Sequence, residues 1–174
     1  ELRAKFPHLH LVACLVDVTD SVAVQDVIKE YKPEVIFHAA AYKHVPLLEY
    51  QARAAVRNNV LGTYNVAKAA CDNNVATFVL ISTDKAVNPV NIMVATKRAA
   101  EIICQNLNGR SATHFITVRF GNVLNSAGSV IPLFKEQLVA GKDLTVTHPE
   151  VTRYFMTIPE ATQLILQAVV LGEK

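Results

Sequence analysis

No uninterrupted apolar run in this chain approaches the roughly 20 residues that a membrane-spanning helix needs. Its start, Glu1-Leu2-Arg3-Ala4-Lys5, lacks the apolar core of a secretion signal, so this stretch reads as soluble. Cysteine is sparse: Cys14, Cys71 and Cys104 are widely spaced, with no CxxC pair and no histidine at zinc-ligand distance. That pattern excludes a disulfide framework and predicts three buried small hydrophobes in a reducing compartment. His38 and His44, six residues apart, fit no common metal-ligand spacing and read as structural, so no metal is expected. Basic residues form no stripe and the formal net charge is only +2, which removes the ground for a nucleic-acid partner. Internal repeats and low-complexity linkers are also missing.

What is present is a body of 174 residues, 51% hydrophobic and 18% charged, enough for one globular domain or slightly more. Short β-branched segments at Leu9 to Val16, Glu34 to Phe37, Thr77 to Ile81 and Phe115 to Val118 predict four strands buried on both faces. Between them Val24, Val27, Ile28 and Tyr31 keep the i, i+3, i+4, i+7 spacing of an amphipathic helix, and Ala99, Ile102, Ile103 and Leu107 keep a similar stripe. The alternation predicts an α/β fold with a parallel sheet. Gln51 to Asn74 holds one glycine, Gly62, and no proline, which predicts a single helix of about 35 Å at 1.5 Å rise per residue. Thr157-Ile158-Pro159-Glu160 has the spacing of a capping box opening a helix over Ala161 to Val170.

A dinucleotide-binding sheet of this kind normally opens on a strand and a glycine-rich turn, and no GxGxxG occurs here. The expectation is a fragment that starts at the third strand of a Rossmann-like, doubly wound sheet, inactive by itself. Residues 1–130 would be the partial nucleotide-binding domain and 131–174 the start of a small substrate-binding subdomain. In the usual strand order Leu9 to Val16 would lack its neighbours, and the expectation is that it pairs abnormally, drives self-association, or belongs to a longer molecule.

Strand Thr77 to Ile81 runs into Ser82-Thr83-Asp84-Lys85 and then Asn88-Pro89, at the carboxyl end of a parallel strand where ligands bind. Taken alone, Asp84-Lys85 reads as a helix cap and a solvated lysine. Met93 and Lys97, four apart, share one face of the following helix, in the spacing of YxxxK with methionine for tyrosine. The run Ser82-Thr83-Asp84-Lys85-Ala86-Val87-Asn88-Pro89 followed by Met93-Val94-Ala95-Thr96-Lys97 resembles the extended short-chain dehydrogenase/reductases. Within them it is similar to the UDP-N-acetylglucosamine 4,6-dehydratases of polysaccharide and capsule biosynthesis. His38-Ala39-Ala40-Ala41-Tyr42-Lys43-His44-Val45-Pro46, Arg57-Asn58-Asn59-Val60, Arg119-Phe120-Gly121-Asn122-Val123 and Thr147-His148-Pro149-Glu150 extend the likeness over most of the chain. Val94 stands where these dehydratases commonly have glycine, and Asn125-Ser126-Ala127 replaces a commoner Gly-Ser-Arg or Gly-Ser-Asn.

The resemblance implies NAD as cofactor, with NADP as the alternative, and a UDP-N-acetylhexosamine as substrate. Asp17 and Val18 would contact the adenine; Ala39, Ala40, Ala41 and Lys43 would line the cofactor or sugar crevice; Asn58 would support the active-site helix. Ser82, Phe120, Gly121 and Val123 would also meet the cofactor, with Gly121 where backbone approaches it closely. Lys97 would bind the nicotinamide ribose, while Lys43, Asn122 and Arg153 would reach the substrate.

In the mechanism the resemblance implies, oxidation at C4 acidifies C5-H; Lys85 is the C5 base and Asp84 the C6 acid. Burial would keep Asp84 protonated and neighbouring cations would favour neutral Lys85. A thioether at Met93 cannot accept the C4 hydroxyl proton, which leaves Thr83, Asp84 or a water, and points to the C5-retaining dehydratases. A homo-oligomer in the cytoplasm, or on its membrane face through a segment outside this chain, is further implied. The competing readings are an epimerase or dehydrogenase of the same superfamily, which normally has tyrosine at position 93, and a non-catalytic binding module.

Overall fold

The computed structural model describes residues 2–124, 126, 129–146 and 148–172. Asn125, Ala127 and Thr147, singled out above, lie outside the described residues, as does Glu1.

Three strands, β1 (Val35–His38), β2 (Thr77–Thr83) and β3 (His114–Phe120), form one sheet in the order β1-β2-β3. Both pairings are parallel, with Val35 opposite Thr77 and Thr77 opposite His114. Only central β2 is buried on both faces; edge strand β1 leaves Phe37 46% exposed. The fold class expected from the alternation is the one observed.

The predicted fourth strand is not formed. Residues 9–16 adopt no regular structure, with Leu15 fully exposed and Leu9 and Val12 about half exposed. A strand exists only through its ladder, and among the described residues no segment pairs with this one, so high β-propensity has nothing to act on. Cys14 lies on this segment and is exposed, against the expectation of three buried thiols; Cys104 alone is buried.

The other segments follow their patterns. Helix α1 is Leu2–Lys5; α2 (Ser21–Tyr31) is capped by Asp20, whose carboxylate accepts the Val22 and Ala23 amides. A short α3 (Val45–Glu49) follows β1. The predicted long helix spans Ala52–Asp72 but is not uniform: α4 (Ala52–Ala55) and α5 (Gly62–Asp72) flank a π-helical turn at Val56–Leu61. Gly62 is required there, because a Cβ would stand 2.7 Å from a methyl of Val18. Helix α6 (Ile92–Leu107) connects β2 to β3. After β3 come β4 (Asn122–Val123), α7 (Val130–Val139), β5 (Phe155–Met156) and α8 (Ile158–Leu171), with β4 and β5 paired in parallel. Thr157 and Glu160 make the expected capping box at the start of α8.

The core sits between the sheet and α2, α5 and α6, where Val24, Ile28, Val66, Ala70 and Ala100 meet Phe78, Leu80 and Phe115. Helix α8 packs against β2 and β3, with Gly172 closing on Ile116. Parallel strands thus have all their carboxyl ends at one edge, and the loops leaving them form one site. Among the described residues no helix is long and apolar enough to cross a membrane.

Candidate active site

Three chain segments leave the sheet together: residues 39–43 after β1, 84–88 after β2 and 121 onward after β3. They enclose a cavity of about 510 Å³. Ala39, Ala41, Lys43, Ser82, Thr83, Lys85, Met93, Lys97, Phe120, Gly121, Asn122 and Val123 line it, so most residues chosen from sequence meet in one place. Asp17, Val18, Ala40, Asn58, Asp84 and Arg153 do not line it, although Asp84 bonds Lys85, which does. Asp17 bonds the Thr19 amide at 2.8 Å, and exposed Arg153 donates to the Thr152 carbonyl at 2.8 Å.

The Asp84 and Lys85 side chains stand on a 3₁₀ turn (Asp84–Val87) begun by Thr83, whose hydroxyl accepts from the Lys85 amide. One Asp84 oxygen, Oδ1, accepts from the Thr83 hydroxyl, the Lys85 amide and Lys85 Nζ, each at 2.9 Å. Lys85 Nζ also donates to Asn122 Oδ1 at 3.2 Å, bridging the β2 and β3 ends. Burial pushes the Asp84 carboxyl up, but the bonds from Lys85 and Thr83 outweigh it and hold it below the usual carboxylate range. Asp84 is therefore an anion here, not the protonated acid expected from burial alone. The partial exposure of the pair leaves water to do part of the solvation, so ion pairing sets its charge state.

Helix α6 supplies the opposite wall. Asn91 caps it by accepting from the Val94 amide at 2.9 Å, and Met93 and Lys97 project from one face into the cavity. Lys97 Nζ donates to the Ile81 carbonyl at 2.5 Å, and burial lowers its pKa. Fully buried Val94 lies beneath them and also borders the cavity.

Behind the lining runs a polar network. Buried Asn59, from the π-helical turn, accepts from the Tyr42 amide at 2.7 Å and donates to the Tyr42 carbonyl and to Thr96 Oγ1, both at 3.0 Å. It thereby fastens the loop after β1 to α6. Asn58 joins only by donating to Asn59 at 3.0 Å, so the direct contact with α6 belongs to its neighbour. Thr63 donates to the Asn59 carbonyl at 2.7 Å, which leaves His38 Nε2–H to donate to Thr63 Oγ1 at 3.0 Å. Burial, with Lys97 nearby, lowers the His38 pKa to about 4 and keeps it neutral.

Glu101 was missed by sequence reading. It lies four residues beyond Lys97 on the predicted helix, a spacing that marks a shared face but not what the face meets. Gly121 is explained differently from the expectation: a Cβ there would stand 2.7 Å from the Tyr154 carbonyl oxygen, so close passage of the 150s backbone requires glycine.

A family described as "Polysaccharide biosynthesis protein" matches residues 1–174. This chain belongs to that family. The chain is similar to the capsular polysaccharide biosynthesis protein CapD of Staphylococcus aureus, 57% identical over 95% of this chain and 28% of CapD. A UDP-glucose 4-epimerase of Rickettsia bellii is 41% identical over 91% of this chain and 47% of its own length. Among solved structures, Pen from Bacillus thuringiensis superposes with a TM-score of 0.89 at 37% identity, covering 97% of this chain and 52% of that one. This family member therefore spans about half the length, or less, of the relatives it matches. Its fold is that of the extended short-chain dehydrogenase/reductases, as the motif run implied.

Proposed function

We propose that this chain forms the catalytic part of an NAD-dependent nucleotide-sugar 4,6-dehydratase acting on UDP-N-acetylglucosamine. The observation that carries this reading is the meeting of Thr83, Lys85, Met93 and Lys97 around one cavity, with Asp84 bonded to Lys85 Nζ at 2.9 Å. The chemistry that NAD supplies when bound is reversible acceptance of a hydride. The residues present suit such a group: Ala39 and Ala41 present only methyls at the end of β1, and Lys97 offers a half-buried donor.

The charge state of Asp84 fixes its order of work. Met93 has no group that accepts a proton, whereas the Asp84 carboxylate can take the one leaving the C4 hydroxyl. That uptake removes the anion paired with the Lys85 ammonium, which then releases one proton to solvent and becomes the free amine. Lys85, as its amine, then removes the C5 proton while Asp84 returns its proton to the departing C6 hydroxyl, which leaves as water. Reprotonation of C5 from the same amine retains configuration. The acid at C6 thus receives its proton during the first half of the cycle, with no need for a buried, permanently protonated aspartate.

The runner-up is a 4-epimerase, favoured by the Rickettsia relative and opposed by methionine at position 93. The test is incubation of the intact protein with UDP-N-acetylglucosamine in deuterated water, read by NMR. A C5-deuterated 4-keto-6-deoxy product of retained configuration, lost in Asp84→Asn and Lys85→Ala by at least about a hundredfold, is expected. A hexose epimerised at C4 without loss of water would reject the dehydratase, and inversion at C5 would reject Lys85 as the sole C5 base.

A further inference from the structure

We propose that Glu101 is a positioning residue of this site: one buried carboxylate on α6 fixes the two strand ends that carry Asp84-Lys85 and Asn122. Its side chain has no exposed surface. Oε1 accepts from Ser82 Oγ at 2.6 Å and from Arg119 Nε at 2.8 Å, while Oε2 accepts from Arg119 Nη2 at 2.5 Å and Arg98 Nη1 at 2.8 Å.

Ser82 and Arg119 are cross-strand partners in the β2–β3 register, so Glu101 bonds both members of one rung. The next rung, Thr83 with Phe120, already borders the cavity. Beyond it the strands part, one into Asp84-Lys85 and the other into Gly121-Asn122, and Lys85 Nζ spans the gap to Asn122. One turn earlier on α6, Lys97 grips Ile81, the residue before Ser82. Helix and sheet are therefore locked at two consecutive β2 residues immediately before the reacting groups. A carboxylate with both oxygens doubly bonded has a fixed direction, which a greasy contact lacks. An ion pair serving only to hold α6 on the sheet would be replaceable by apolar side chains of similar volume.

This inference rests on the dehydratase reading, and the two fail differently. In the intact protein, Glu101→Gln is expected to lower kcat at least about tenfold while KM for the nucleotide sugar stays within about twofold, since a small misplacement of reacting groups acts on the chemical step. The double variant Glu101→Met with Arg119→Met is the control for fold: its melting temperature stays near the parent's while kcat remains reduced. A folded variant of either kind with parent-like kcat overturns the proposal. Should neither variant fold, Ser82→Ala, which keeps the ion pairs, is expected to lower kcat by about threefold or more, and parent-like turnover overturns it. Absence of turnover in the parent sinks the dehydratase reading instead. Acetic anhydride labelling of Lys85 and Lys97, read by mass spectrometry with no substrate present, then decides: a change of about threefold or more in their relative rates in Glu101→Gln is expected from altered positioning, and unchanged rates overturn it.

Discussion

Asp84 and His38 show how far the charge of a residue depends on its partners. Both were placed at strand ends by the sequence, yet Asp84 is held as an anion by three donors and His38 is held neutral by burial. Glu101 adds a second acid-sensitive group: burial raises its pKa, but bonds from Arg119, Ser82 and Arg98 bring it down to about 2. The signs combine in one direction. His38 titrates at about 4 folded against 6.5 ordinarily, so the unfolded chain binds the extra proton between those values and stability falls as pH drops through that window. The full cost is on the order of 3 kcal/mol below pH 4. Stability from the Glu101 carboxylate is complete above its ordinary 4.5 and is lost as pH falls toward 2. Thermal melts should therefore show a lower Tm at pH 5 than at pH 7, and His38→Gln should remove most of that first decline; an equal decline in the variant would rule out His38 as its source.

The long helix Ala52–Asp72 carries the lesson of the element. Composition predicted one uninterrupted helix, and the chain is helical throughout, but Val56–Leu61 is wound as a π turn. Such turns insert a residue and shift the helix face, which is common where a side chain must point inward for function. Here the side chain is Asn59, which satisfies both backbone groups of Tyr42 and reaches Thr96 on α6. Asn59→Ala should cost about 2–3 kcal/mol, because it strands polar groups rather than merely losing contacts. Urea denaturation would measure this, and a loss under about 0.5 kcal/mol, the range of ordinary surface changes, would show the network to be replaceable. Nothing in the sequence of Gln51 to Asn74 marked the π turn, since adjacent Asn58 and Asn59 have the same local preferences.

Seen whole, the molecule leaves a great deal of apolar surface uncovered. Leu9, Val12 and Leu15 on the unpaired segment, Phe37 on edge strand β1, and Leu164, Leu166 and Val170 on α8 are all substantially exposed. Exposed apolar patches and an open strand edge are association sites. The 174-residue chain by itself should accordingly elute as an oligomer or aggregate in size-exclusion chromatography with light scattering; a monodisperse monomer at micromolar concentration would contradict this. The same surface explains the one strand that was expected and is not formed. Propensity in residues 9–16 needs a neighbour, and the described chain offers none.

Local order in the chain was enough to determine its alternating elements, their parallel arrangement, the capping box at Thr157 and the gathering of Thr83, Lys85, Met93 and Lys97 at one sheet edge. Each of these depends on periodicity, turn chemistry or position along a strand, which neighbouring residues carry. Tertiary structure alone decided that Asp84 is charged, that Asn59 rather than Asn58 touches α6, and that Glu101 ties Ser82 to Arg119. Those outcomes depend on which distant groups surround a buried polar atom, and the free energy of such an atom is set by its partners in space rather than its neighbours in the chain.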